Sequence, residues 1–528
     1  MGGYRDWLVK LLVFMGGCLT LKFGLTWYRD LVLQKVSGRL NLRSANQFLM
    51  HMFKLPITFF DQRSAGDLVN RMSSNDQINS FLAEELAETV LTVLMTVFYL
   101  VVLLLYSPVL TLIGIANVII SLLVVYISNK SIASVSLRIQ MSGGKMYGAM
   151  CSGYGISDTI KATSAEDEYI GRVLGYQAKQ VNDVQKLFRF QKVVNAIPSA
   201  CGKLADVLIL MVGGILIMNG HMTIGMLMAY NSLFDSFCDP VNKLVGFIQK
   251  IQTLRANINR VSDVEAYQED SSYHRESRSP KISFNGKVSL RNISFGYSKI
   301  NDPLISNFSF DLKPGESIAF VGPSGCGKST VSKVASGLYH PWEGEVLLDD
   351  TPIDDFSKEV LNTAVATVSQ NISLFSGSVR DNLTMWKPEI SDDLLNEATM
   401  DACIYDDIMT MGGYDALLTE GASNLSGGQR QRLEIARALA TRPAVLVMDE
   451  ATSALDAKTE ETILNNIRRR GCTCIIVAHR LSAIRDCNEI VVMRQGKIIE
   501  RGTHSSLMHQ PKDAKGNDSY YKTLVMNM

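Results

Sequence analysis

ESIAFVGPSGCGKST, residues 316–330, decides the fold of half the chain. An apolar run, Ile318 to Val321, leads into Gly322-x4-Gly327-Lys328-Ser329, and Thr330-Val-Ser-Lys opens an amphipathic stretch. Strand, glycine-rich turn and helix in that order make a phosphate cradle. The glycines let backbone N–H groups close around the phosphates at the positive end of a helix. Gly322, Ser324, Gly325, Cys326, Gly327 and Thr330 are expected to line the cradle, Lys328 to reach the outer phosphates, and Ser329 to offer a hydroxyl to Mg²⁺.

A second apolar strand, AVLVMDE, ends in Asp449-Glu450. Asp449 is the expected metal carboxylate and Glu450 the expected polariser of an attacking water. Between the two strands lies LSGGQ, Leu425 to Gln429, where Ser426, Gly427, Gly428 and Gln429 open a helix and form another cradle. One nucleotide does not need two cradles in one chain. The economical arrangement is a head-to-tail pair of chains, each P-loop facing its partner's LSGGQ.

These residues resemble the ATP-binding cassette of ABC transporters, over about 285 to 528. The resemblance implies a role for each matching position. Tyr297 in ISFGYS would stack on adenine, and Gln370 in TVSQ would sense Mg²⁺ and couple to the membrane domain. Thr419-Glu420-Gly421 lies where exporters carry a cross-linking loop, in a shortened form. Ser453 to Asp456 would touch the partner cassette, His479 in VAHR would contact the γ-phosphate, and Glu450 would be the catalytic carboxylate. The set is complete, which implies two competent ATP sites in a homodimer.

Working outward, charge separates the halves. Residues 1–264 hold 24 Lys+Arg against 17 Asp+Glu (24 − 17 = +7), and residues 265–528 hold 28 against 35 (28 − 35 = −7). A charge-poor basic half before a charge-rich acidic half suggests a membrane region followed by a soluble domain. Neither half has the dense basic surface of a nucleic-acid binder. The nine cysteines contain no CxxC pair. Cys472 and Cys474 alternate along an apolar run that reads as a buried strand rather than a metal site.

Thr89 to Tyr106 and Val109 to Ser128 are uncharged and long enough to cross a hydrocarbon core of about 30 Å, with Pro108 at the turn between them. Weaker spans are expected at about 198–219 and from Met222 beyond Phe234, and a fifth at Trp7 to Trp27. Lys203 and Asp206 read as interfacial ends; Asp235 and Asp239 read as equally suited to a cavity lining. The polar stretches 28–88 and 129–197 contain most of the basic residues of this half and so belong in the cytoplasm as helices extended beyond the bilayer. Counting back through five spans places Met1 outside, so a missing first span is expected.

The resemblance extends to this half. LPITFFDQRSAGDLVNRMSSND, 55–76, and GISDTIKATSAEDEYIGRV, 155–173, are similar to the two intracellular coupling segments of ABC exporters, each with a short helix expected at its tip. The first is most similar to the bacterial peptide and bacteriocin exporters. Cys18 has no His/Asp set nearby, so a fused protease is not supported.

The expected fold is therefore an α-helical transmembrane exporter domain (1–265) with long cytoplasmic extensions, a linker (266–280), and an α/β P-loop cassette (281–528). The expected activity is ATP- and Mg²⁺-dependent export of a peptide or bacteriocin by a homodimer in the cytoplasmic membrane. A lipid or drug exporter, a soluble mechanical ATPase and a non-functional fragment remain alternatives.

Overall fold

The computed structural model describes residues 3–63, 65–273, 283–478, 480–510 and 519–526. Contacts divide the chain into two units: Met1–Leu55 with Phe60–Gln268, and Pro56–Phe59 with Glu269–Met528.

The first unit is helical. Gly3–Phe53, Pro108–Gly155, Glu166–Met218 and Ile224–Glu265 are single helices of 51, 48, 53 and 42 residues. At about 1.5 Å per residue the three longest reach about 75 Å, more than twice the hydrocarbon core, so they extend well past it. Ala65–Ser80, a π-helical turn at Phe81–Glu85 and Leu86–Tyr106 follow one another without a break in the helix. Ser107 turns out of the helical region, Pro108 starts the next helix, and the Thr111 hydroxyl donates to the carbonyls of Leu103 and Ser107 at 2.9 and 2.8 Å. The same two carbonyls also accept the backbone N–H groups of Ser107 and Thr111 at 3.0 and 3.1 Å, so the hydroxyl is a second tie across the turn.

Among the described residues four helices are long and apolar enough to cross a membrane: Val9–Phe53, Gly66–Tyr106, Pro108–Ser128 and Glu166–Met218. The fifth expected span lies in Ile224–Glu265. It is a helix, but Asn231, Asp235 and Asp239 interrupt its apolar run, and it is not among the four. Many apolar side chains of the spans point outward, Leu105 being 82 % and Leu112 70 % exposed, while Leu103, Leu110, Ile209 and Phe234 form a buried cluster. Short helices stand at both expected tips, Ile57–Asp61 and Ser157–Ala162.

The second unit is built on a six-stranded sheet. Its order is Lys497–Gly502, Glu489–Arg494, Ser317–Val321, Thr473–Val477, Val445–Asp449 and Val365–Val368, all parallel except the first. Side chains alternate between two apolar cores. Ile318, Phe320, Val445, Val447, Ile475 and Val477 enter one; Ala319, Val321, Leu446, Met448, Cys474 and Ile476 enter the other. A strand covered on both faces must be apolar at every position, which is why these segments read as continuous runs. Cys474 sits in that layer with its thiol pushed up by burial, and no group of metal-ligating residues occurs among the described residues. A four-stranded antiparallel sheet, ordered Ile305–Leu312, Val288–Phe295, Glu343–Leu348 and Thr351–Pro352, completes the unit.

Candidate functional site

Parallel strands end on a common edge, and in open α/β sheets that carboxyl edge is where ligands bind. Here Ser317–Val321 delivers Gly322, Val445–Asp449 delivers Glu450, Val365–Val368 delivers Gln370, and Thr473–Val477, between the first two, leads toward His479. His479 itself lies outside the described residues.

The P-loop turns where its glycines allow. Gly322 has φ +152°, and a Cβ there would stand 2.2 Å from the Met493 carbonyl; Gly327 caps the following helix at φ +104°. Any other residue would meet backbone at the first position and a strained conformation at the second. Ser324, Gly325 and Cys326 complete the loop, and the Cys326 carbonyl accepts the Gly496 N–H at 3.1 Å. The Lys328 ammonium is buried and donates to the carbonyls of Gly322 and Pro323 at 2.8 and 3.1 Å. It therefore sits at the mouth of the cradle, at the head of the helix Lys328–Ala335.

The two expected metal oxygens are already neighbours. The Ser329 hydroxyl donates to Asp449 Oδ1 at 3.0 Å. Burial pushes the Asp449 carboxyl up, with the adjacent Glu450 charge adding to the shift and the Ser329 hydroxyl opposing it. A hydroxyl beside a desolvated carboxylate is a hard oxygen set suited to Mg²⁺. The Gln370 amide donates to Glu450 Oε2 at 2.7 Å, which aims the carboxylate. Glu450 has φ +51°, a left-handed conformation rare outside glycine, and is held there from two sides. Its N–H donates to the Val477 carbonyl at 2.9 Å, and its carbonyl accepts from the Gln431 amide at 3.3 Å.

Tyr297 is half-exposed, its hydroxyl shares a hydrogen bond with the Thr330 hydroxyl at 3.0 Å, and its ring meets Tyr339 edge-on at 5.8 Å. An open aromatic face tied to the P-loop helix fits a purine.

The second cradle has a different construction. Ser426 caps the helix Gly427–Ala440 in a reciprocal box: its hydroxyl accepts from the Gln429 N–H at 3.2 Å, and Gln429 Oε1 accepts from the Ser426 N–H at 2.9 Å. The remaining amide of Gln429 donates to Asp407 at 2.8 Å. Gly427 and Gly428 follow, with the helix N-terminus unobstructed at Gly427. Among the described residues no hydrogen bond joins Ser426–Gln429 to the P-loop.

Asp456 caps the helix Ala457–Arg469 through the Thr459 N–H at 3.0 Å, and that bonding holds its carboxyl low. Two residues that sequence reasoning did not single out fix the loop before it. The Gln431 amide accepts from the Ala454 N–H at 2.8 Å, and the Arg480 guanidinium donates to the carbonyls of Leu455 and Ser453 at 2.6 and 2.8 Å. Gln431 thus connects the catalytic Glu450 candidate, the 453–456 loop and the LSGGQ helix. The only hint in the sequence is a second glutamine two residues after the first.

The family model described as "ABC transporter transmembrane region" matches residues 1–241, and that described as "ABC transporter" matches 305–453. The Alpha-hemolysin translocation ATP-binding protein HlyB of Escherichia coli is 32 % identical over 500 residues, 92 % of this chain and 69 % of that protein. The Leukotoxin export ATP-binding protein LtxB of Aggregatibacter actinomycetemcomitans is 31 % identical over 511 residues, 94 % of this chain and 70 % of that protein. A solved bacterial Atm1-family ABC exporter with ATP bound superimposes with a TM-score of 0.85 at 25 % identity, covering 100 % of this chain and 93 % of the other. These matches, over a P-loop cassette fused to long apolar helices, place the chain in the ABC transporter family, as an ATP-hydrolysing exporter of the cytoplasmic membrane with its ATP-binding domain in the cytoplasm.

Proposed function

We propose that two copies of this chain form an exporter of polypeptide cargo, with each ATP held between the P-loop of one copy and the LSGGQ helix of the other. The observation that carries the composite site is the division within the cassette. Lys328, Ser329, Asp449, Gln370 and Glu450 converge on one sheet edge, while among the described residues Ser426–Gln429 make no hydrogen bond to the P-loop. A free N-terminus with a satisfied cap still presents backbone N–H groups to an anion.

The residues divide the work. Tyr297 stacks the adenine. Gly322, Ser324, Gly325, Cys326, Gly327 and Thr330 shape the loop, and Lys328 leaves its two carbonyls for the outer phosphates. Ser329 and Asp449 would hold Mg²⁺, with Gln370 nearby; the ion would neutralise charge on the phosphates. Glu450, aimed by Gln370, polarises a water that attacks the γ-phosphorus. The bond to the bridging oxygen breaks and leaves ADP and phosphate. His479 contacts the γ-phosphate, Asp456 and Gln429 support the partner's side, and Ser426, Gly427 and Gly428 complete the enclosure. Closure of the two cassettes would draw the tips at Ile57–Asp61 and Ser157–Ala162 together and reverse the cavity.

The polypeptide cargo is supported by the similar proteins, named for the translocation or export of protein toxins, and a bacteriocin is a narrower case of the same class. ATP hydrolysis in lipid nanodiscs, with and without a leader-bearing peptide and with Glu450→Gln as the blank, tests both parts. Peptide-stimulated turnover above the blank is expected. Turnover unmoved by peptide but raised by an amphipathic drug or lipid would replace the cargo. No turnover above the blank would overturn the site.

A further inference from the structure

His340 belongs to none of the nucleotide motifs, yet it is the most heavily paired histidine described in the cassette. It follows the P-loop helix at the end of Gly337-Leu-Tyr-His. Its Nδ1 stands 3.0 Å from Asp354 Oδ1, in the 3₁₀ turn Ile353–Asp355, and its Nε2 stands 3.5 Å from Asp270 Oδ1, an ionic contact. Asp270 belongs to the segment that follows the helix Ile224–Glu265 and is 89 % buried, its side chain 11 % exposed. Its Oδ1 also accepts the N–H and hydroxyl of Ser272 at 3.0 and 2.8 Å. Lys358 closes the cluster from the helix Lys358–Ala364: its ammonium is 3.9 Å from Asp270 Oδ2 and lies 4.1 Å over the Tyr273 ring. Linker residues 270–273 are thus fastened to the cassette by one histidine, one lysine and two aspartates.

The residue before His340 reaches the nucleotide end. Tyr339 is fully buried, stacks on Phe295 at 5.0 Å and meets Tyr297 edge-on. Its N–H donates to the Lys333 carbonyl of the P-loop helix at 3.2 Å, and the Lys333 ammonium lies 5.6 Å over its ring. A shift of residues 339–340 would therefore move the support under Tyr297, because packed aromatic clusters do not deform freely.

We infer that His340 is a positioning residue for ATP binding: paired with Asp270 and Asp354, it latches the linker to the cassette and holds Tyr339 under the adenine face of Tyr297. The inference rests on the reading of Tyr297 as the adenine stacker. Linker attachment and ATP affinity are then coupled, and the coupling is reciprocal.

The charge state fits a standing latch. Pairing with Asp270 and then Asp354 raises His340 to about 9, against the opposing effect of its burial. Burial works to raise the Asp270 carboxyl, but His340 and the Ser272 donors outweigh it and hold the group below the usual range. A histidine raised in the folded state contributes in full below its ordinary value and loses that contribution as pH rises through about 9. The groups facing it are Asp270, Asp354 and, through Asp270, Lys358.

The test uses the full chain in nanodiscs, with KM for ATP and kcat measured from pH 7 to 10 for wild type, His340→Gln, Asp270→Asn, the double variant and Tyr297→Ala. Each latch variant is expected to raise KM about 3- to 10-fold with kcat kept, and the double variant no further than the worse single. Wild-type KM should climb toward theirs as pH passes about 9, while theirs stay flat through that window. A KM within about 1.5-fold of wild type, a loss confined to kcat, or two singles that multiply would overturn the latch. Tyr297→Ala separates the two readings. If it raises KM and the latch variants do not, the latch fails alone; if it leaves KM unchanged, the adenine reading fails. Should His340→Gln not assemble, Asp270→Asn carries the same expectation.

Discussion

The two halves of this chain dispose of their apolar residues differently: the cassette buries its central strands whole, whereas the membrane half buries one cluster and turns many apolar side chains outward. In the cassette, every residue of Val445–Asp449 and Thr473–Val477 is buried, and successive side chains enter two cores. In the membrane half, Leu105, Leu112 and Val109 point outward at 82, 70 and 59 % exposure. The solvent explains the difference. Water drives the cassette's apolar area inward, whereas lipid is as apolar as leucine and leaves helix association to packing and polar contacts. Chemistry follows the same division. The cassette's close-packed core fixes the groups at its edge, and the candidate ATP residues sit where that core ends.

The largest effect should come at that edge. Lys328→Ala and Glu450→Gln are expected to lower phosphate release about 10²- to 10⁴-fold, with nucleotide binding retained in the second. Normal turnover in both would detach the chemistry from the sheet edge. Next comes the packing contrast itself. Leu446→Ala, at a fully buried position, should cost about 2–5 kcal/mol of cassette stability. Leu105→Ala in lipid removes a side chain that faces a medium of its own polarity and should cost about 1 kcal/mol or less. Equal losses in a denaturation series would break the comparison.

Much of this was legible in the sequence, and the reasons are physical. A P-loop is local: strand, turn and helix are contiguous, so Gly322 to Thr330 states its geometry in nine residues. The uncharged runs Thr89–Tyr106 and Val109–Ser128 state theirs by length alone, and the turn at Ser107-Pro108 falls where proline requires it. The helix Ile224–Glu265 states itself less plainly. Its helical state was legible, and Asp235 and Asp239 interrupt its apolar run. Gln431, Arg480 and His340 were missed for another reason. Their partners lie 19 to 27 residues away for the first two, and 70 residues away for His340 and Asp270, and no spacing rule encodes such contacts.

Smaller effects test those missed residues. Arg480→Ala and Gln431→Ala release the 453–456 loop, and each should lower kcat about tenfold with KM for ATP near wild type, since the loop does not build the P-loop. A change confined to KM would relocate their role. The smallest effect has the opposite sign. Burial raises Asp449 in the folded state, so its charge costs stability above the ordinary carboxylate range, and the cost shrinks as pH falls toward that range. Asp449→Asn should therefore raise the nucleotide-free melting temperature slightly at pH 7 while abolishing Mg²⁺-dependent hydrolysis. A lower melting temperature would mean the carboxylate stabilises the edge instead.

The composite ATP site is the central claim, and complementation tests it most directly. Gly427→Asp introduces a carboxylate at a helix N-terminus where its Cβ would meet only the Ala454 Cβ, at an ordinary 4.0 Å, which favours folding but opposes a phosphate. Lys328→Ala and Gly427→Asp chains, each inactive alone, are co-expressed with different tags and the mixed pair is purified. If each site joins the P-loop of one copy to the LSGGQ helix of the other, the mixed pair holds one undamaged site and recovers ATP hydrolysis. If each site lies within one chain, both are damaged, and hydrolysis stays at the level of the single variants.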